Sequence, residues 1–154
     1  MTLSDLIQQD HFASLEQEAL LNVLATASWI SGEMTAAMAP HGVTQAQYNV
    51  LRILRGRHPE RYACSEIGER LLDRTPDVTR LLVRLEARGL IKRERAEHDR
   101  RVVEVHITPE GLDVLSRLDA PVAEAIGRLG RHLTDDQLSQ LSSLLETLRT
   151  DQEA

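Results

Sequence analysis

The periodicity of the chain changes at Gly89, and this change narrows the possible folds more than any other feature. Before it, from Pro76 to about Ala87, Val78, Leu82 and Leu85 recur at helical spacing with Leu81 beside them. After it, Leu90 to Arg95 reads as a strand, and Val103, Val105 and Ile107 alternate with Glu104 and His106 as in a half-buried strand. The polar turn from Ala96 to Arg100 joins these strands into a hairpin with a basic tip. The helix has a well-marked start: Thr75 can cap it, Pro76 suits its first position, and Asp77 lies near the positive end of its dipole. Gly89 is a good left-handed stop. Arg80, Arg84 and Arg88, four apart, form a second stripe that faces away from the apolar one.

Helices flank this unit on both sides. Leu20, Val23, Leu24, Ala27, Ile30, Met34 and Met38 predict a long helix from about Phe12 to Ala39, closed by Pro40 and Gly42. Thr44 to Gln47 reads as a capping box, and Tyr48, Val50, Leu51 and Leu54 give the next helix its apolar face. A short helix follows near Ser65 to Leu72. Thr108-Pro109-Glu110 opens another, running through Leu112, Leu115, Leu118, Val122, Ile126 and Leu129 until Gly130 breaks it. Thr134 to Gln137 is a second capping box, ahead of Leu138, Leu141, Leu144, Leu145 and Leu148.

The expected fold is therefore mainly α with a small β-hairpin wing (α+β). It is a winged helix-turn-helix over 44–110, flanked by long dimerisation helices over 10–39 and 111–150, in one domain spanning 1–154. An intrachain bundle is the alternative to dimerisation. No apolar run approaches the roughly 20 residues needed to cross a bilayer. The segment from Met1 to Asp10 lacks the pattern of a signal peptide. A single cysteine, Cys64, fits a reducing compartment, so the expected location is cytoplasmic with no membrane partner.

The net charge of −6 argues at first against nucleic acid. Its distribution argues for it. Between Arg70 and Arg101 there are ten basic and six acidic residues, a local +4 that leaves −10 on the remainder. A basic surface on an acidic body suits phosphate binding, although charge alone fits a salt-bridged helix face equally well. The order of elements adds weight. A helix-turn-helix lays its second helix in the major groove, so it needs small and polar residues near that helix's N-terminus and arginines to reach guanine or phosphate. Thr75, Pro76, Asp77, Thr79 and Arg80 meet the first need, and Arg80 and Arg84 the second. Arg100 and Arg101 give the wing a thin basic tip.

Three runs carry a family resemblance: SEIGERL from Ser65, PDVTRLLVRLEARGLIKR from Pro76, and DRRVVEVHITPEG from Asp99. Together they make the stretch from Cys64 to Gly111 resemble the MarR family of bacterial regulators. The resemblance implies a homodimer that binds double-stranded DNA and regulates transcription, as a repressor, at a pseudo-palindromic operator. Pro76 to Arg88 would be its recognition helix, with Thr79 and Arg80 facing the groove. Asp99 and Arg101 would be the wing pair, the aspartate orienting an arginine that enters the minor groove. A small anionic aromatic effector is a further implication, and Trp29, Met34, Met38, His41, Tyr48 and Arg52 are the residues placed to line its pocket. Core or interface packing is the competing role for Trp29.

Cys64 reads better as a buried structural cysteine than as a redox switch, since no second cysteine can resolve a sulfenic acid. No His pair has zinc-site spacing with Cys64, so no metal and no cofactor are expected. Phosphate loops and nucleophile elbows are absent, which argues against an enzyme. A winged helix used only for protein contacts is the alternative reading, against which the arginine stripe and basic wing tip weigh.

Overall fold

The computed structural model describes residues 2–9, 11–71, 77–96 and 99–150. Helix α1 (Leu3–Ile7) precedes the long α2 (Leu15–Met38), which ends in a 3-10 turn at Ala39–His41. Then come α3 (Gln45–Arg57), β1 (Tyr62–Ala63), α4 (Cys64–Arg70), α5 (Val78–Ala87), β2 (Ile91–Arg95) and β3 (Val103–Ile107). The long α6 (Pro109–Gly130) and α7 (Asp135–Leu148) complete the order.

Most boundaries follow from local capping. Thr44 accepts the Gln47 N–H while the Gln47 side chain accepts the Thr44 N–H, and Thr134 and Gln137 repeat the arrangement for α7. Thr108 caps α6 with Pro109 in its first turn. Helix α5 ends in a Schellman motif. Gly89 adopts φ +70°, its N–H donates to the Glu86 carbonyl (2.8 Å), and the Leu90 N–H donates to that of Leu85 (3.1 Å).

Three features differ from the sequence expectation. The long first helix starts at Leu15 rather than Phe12, because the Ser14 hydroxyl accepts the Gln17 N–H, and the short α1 precedes it. Helix α5 starts at Val78 rather than Pro76, with Asp77 as its cap instead of a first-turn residue. The expected cap Thr75 and first-position Pro76 lie outside the described residues, as do Asp73, Arg74, Glu97 and His98. The wing hairpin gains a third strand. β1 pairs antiparallel with β3, Tyr62 opposite Val105, giving the order β1-β3-β2.

The hairpin register sets Ile91 opposite Ile107 and Arg93 opposite Val105, so the Val105 and Ile107 side chains point into the core. Around them pack Leu51 and Leu54 of α3, Ile67 of α4, Leu82 and Leu85 of α5, and Leu115 and Leu118 of α6. This is one contiguous core beneath the helix-turn-helix. The long helices are different. Of the 24 residues of α2 only Met38 is buried, and α7 buries none. Leu15, Leu20, Leu24, Ile126, Leu138, Leu141, Leu144 and Leu148 stay exposed.

Candidate nucleic-acid interface

Helix α5 is held by its inner face. Leu81, Leu82 and Leu85 are buried and Val78 is partly buried. The opposite face carries Thr79, Arg80, Val83, Arg84 and Ala87, all exposed. Asp77 organises the N-terminal end of this face. One carboxylate oxygen accepts the Arg80 backbone N–H (3.1 Å), and the other pairs with the Arg80 Nε (3.1 Å). The cap thus ties down the first arginine of the helix through its Nε and leaves the end of the guanidinium fork open outward. A fork of that shape matches the O6 and N7 acceptors of guanine.

The third arginine of the stripe does something else. Arg88 faces solvent, but its Nη1 donates to the Gly42 carbonyl (2.7 Å), tying the end of α5 to the turn before α3. On the other side, Arg93 of β2 donates its backbone N–H and its Nε to the Glu86 carboxylate (3.0 and 2.8 Å). The guanidinium of Arg93 holds the Glu86 carboxyl below its ordinary pKa. Helix α5 and strand β2 are therefore cross-braced by a charge-assisted contact that no local sequence pattern announces.

At the wing tip, Asp99, Arg100 and Arg101 are exposed. The Asp99 side chain accepts the backbone N–H of Arg101 (2.9 Å), and the Val102 N–H donates to the Asp99 carbonyl (3.0 Å). This aspartate folds the turn. Its recorded contact is with the backbone of the arginine, so it aims Arg101 by shaping the main chain beneath it.

The six residues expected to line an effector pocket do not come together within the subunit. Met38 and Tyr48 belong to the core, 1% and 5% exposed, because helical spacing turns both inward. Met34 packs against that core and His41 lies in the 3-10 turn. Arg52 lies over the Tyr48 ring (5.8 Å) and donates to its hydroxyl (3.2 Å). These two line a recess of about 230 Å³ with Asn49, Ile53 and Arg70. Trp29 is 53% exposed and borders a separate groove of about 710 Å³, with Leu3, Leu6, Asn22, Thr26 and Arg131. Cys64 is half-buried, and burial pushes its thiol above the ordinary pKa, which disfavours the reactive thiolate.

Known proteins share this arrangement. Residues 41–102 match the MarR family model. The HTH-type transcriptional repressor MdtR of Bacillus subtilis is 31% identical over 87% of this chain and 85% of its own length. The crystal structure of a MarR transcription factor from Planctomyces limnophilus is 39% identical, covers 89% of this chain and 99% of that one, and superposes with a TM-score of 0.69. A mutant MarR from E. coli complexed with operator DNA shares the fold, with a TM-score of 0.74 at 24% identity over 82% of this chain and 89% of that one. No helix among the described residues is long and apolar enough to cross a membrane. The chain belongs to the MarR family, whose members regulate transcription by binding DNA and are not enzymes.

Proposed function

We propose that this chain is a homodimeric repressor that reads a pseudo-palindromic operator, with α5 in the major groove and the wing tip in the flanking minor groove. The observation that carries this reading is the outward face of α5. Thr79, Arg80 and Arg84 stand exposed on a helix whose opposite face is locked into the core. Thr75, Pro76 and Asp77 at its start, and Asp99, Arg100 and Arg101 in the wing, complete the proposed contact set. The name of the B. subtilis relative supports repression.

Dimerisation is supported by the terminal helices. An isolated helix of fewer than ~12–15 residues is marginal in water, and fully burying one leucine side chain is worth about 1.5–3 kcal/mol. Helix α7 has 14 residues, and its Leu138, Leu141, Leu144 and Leu148 stay 40–61% exposed. A second copy laid against α2, α6 and α7 covers these faces. Two-fold symmetry then places half-sites about one helical turn, or roughly 34 Å, apart.

An anionic effector belongs to the same proposal. The Tyr48–Arg52 recess supports it, since it offers a guanidinium beside an aromatic ring next to α4. Salicylate-like acids should lower operator affinity, and Arg52→Ala should remove that response. If a broad panel leaves affinity unchanged, the effector part fails and the operator part stands.

The experiment for the whole proposal is recovery of the genomic fragments that the full chain retains, followed by footprinting and sedimentation. The expected result is a two-fold footprint on a dimer. A chain ending at Thr134 should sediment as monomer or aggregate. Direct repeats in the footprint, or a well-folded truncated dimer, would refute the corresponding half of the reading.

A further inference from the structure

The outward face of α5 holds an apolar residue where a groove-facing helix would be expected to present polar groups. At 100° per residue, the core-facing Val78, Leu81, Leu82 and Leu85 centre on one direction, and Val83, Ala87 and Arg80 lie within about 30° of the opposite one. Val83 therefore sits near the crest of the helix. It is 46% exposed, the only large hydrophobic residue of α5 left so open. A β-branched residue is a poor helix former, and at this position it is not part of the subunit's core.

We propose that Val83 reads a thymine, by packing against its 5-methyl group on the floor of the major groove. The inference rests on the proposed placement of α5 in that groove and deepens it. Among the base-edge groups exposed there, the thymine methyl is the apolar one. A valine side chain has no hydrogen bond to give, so its discrimination comes from covering that methyl. Ala87, one turn further along the crest, adds no bulk that would hold Val83 away from the bases. The geometry also places the thymine relative to Arg80. Three residues separate the two, a rise of about 4.5 Å along the helix against roughly 3.4 Å per base step. The thymine should thus lie one or two steps from the guanine that Arg80 contacts.

The test uses the full chain and the duplex operator recovered from genomic fragments, resynthesised with each dT replaced in turn by dU. Deoxyuridine keeps every hydrogen-bonding group and lacks only the methyl. Wild type should lose about fourfold in affinity at one position per half-site, the effect of uncovering one methyl group. Val83→Ala should fold, because the site is 46% exposed and alanine is the better helix former, and it should bind the dT and dU duplexes equally. Equal wild-type binding to every dU duplex would overturn the inference while leaving operator recognition intact. A dU penalty that persists in Val83→Ala would overturn it too, by assigning the methyl to another residue. If wild type discriminates no operator from random duplex, the placement of α5 fails, and the role of Val83 fails with it.

Discussion

Replacing Gly111 with alanine sets two effects of opposite sign against each other, and the structure decides which wins. Alanine favours a helix interior over glycine by up to about 1 kcal/mol, so Gly111→Ala should stabilise α6 if nothing stood nearby. Something does. A Cβ built on Gly111 would lie 2.2 Å from the Leu90 carbonyl oxygen and 2.7 Å from the Ile107 Cγ1. The first neighbour is backbone, so no rotamer change relieves it, and the start of α6 must move by about 1 Å to restore van der Waals contact. That movement strains the seam that joins α6 to the end of α5. The Thr108 N–H donates to the Leu90 carbonyl (3.1 Å), and the Thr108 hydroxyl donates to the Gly89 carbonyl (2.7 Å). Each such bond contributes about 1 kcal/mol net, and overpacking of this kind costs about 1–3 kcal/mol. The net expectation is a loss of roughly 2–4 kcal/mol, a large share of the 5–15 kcal/mol that holds a typical domain together. Urea denaturation followed by circular dichroism reads it directly. Gly56→Ala is the control, since a Cβ there meets nothing within 4 Å, and it should be neutral or stabilising. A Gly111→Ala protein as stable as wild type would refute the close packing of α6 on Leu90.

Asp77→Ala should lower stability by about 1 kcal/mol through loss of the helix cap, whereas Asp77→Asn keeps the cap and should cost little. Both free the Arg80 guanidinium, so competition against random duplex should show reduced discrimination in both variants. Unaltered discrimination would mean that the Asp77–Arg80 contact does not position the arginine. In the wing, Arg101→Ala should weaken all operators with a lost preference for A·T-rich flanks, and Asp99→Ala should give a milder version by loosening the turn. Unchanged affinity in a folded Arg101→Ala protein would remove the wing from the interface. The Glu86 carboxyl has a depressed pKa in the folded state, so its contribution is present above the unfolded value of about 4.3 and is lost as pH falls through the lower folded value. Denaturation between pH 3 and 7 should therefore show a flatter acid limb in Glu86→Gln than in wild type, and identical limbs would argue that the brace to Arg93 is energetically silent.

The parts of this molecule legible in the sequence are those whose cause is local. The Val103–Ile107 alternation, the Thr108-Pro109 start and the two capping boxes each depend on residues within a turn of one another, and each appears where the pattern puts it. The start of α5 differs from the expected Pro76 for a physical reason: Asp77 is as good a cap as Thr75, and its side chain accepts the Arg80 N–H. Strand β1 has two residues, too few to alternate, and exists because Tyr62 finds Val105 more than forty residues away. The Arg88–Gly42 and Arg93–Glu86 contacts likewise need the tertiary fold before they have partners. The resemblance groups the effector residues, but helical phase puts Met38 and Tyr48 in the core and Trp29 on another surface. A helical face can be read from spacing, whereas a pocket between helices cannot.

The distribution of ion pairs bears on how a chain of net charge −6 could present the basic face proposed for α5 and the wing. On the body, five arginines are matched by the chain's own carboxylates. Arg55 pairs with Asp119, Arg57 with Glu60 and Glu66, Arg61 with Glu94 and Glu104, Arg117 with Asp113, and Arg128 with Glu33 and Glu124. Among the described residues, Arg84, Arg95, Arg100 and Arg101 of α5 and the wing have no such partner, nor do Arg52, Arg70, Arg88, Arg131 and Arg149 elsewhere, and Arg80 is held through its Nε by the cap of its own helix. Surface charges more than about 8–10 Å apart are largely screened at physiological ionic strength. The acidic body beyond that range is therefore screened, and a charge beside α5 or the wing meets the local groups, these arginines together with Asp77, Glu86 and Asp99. Net charge governs how the whole molecule behaves in solution; the pairing of individual arginines governs what the proposed face could hold.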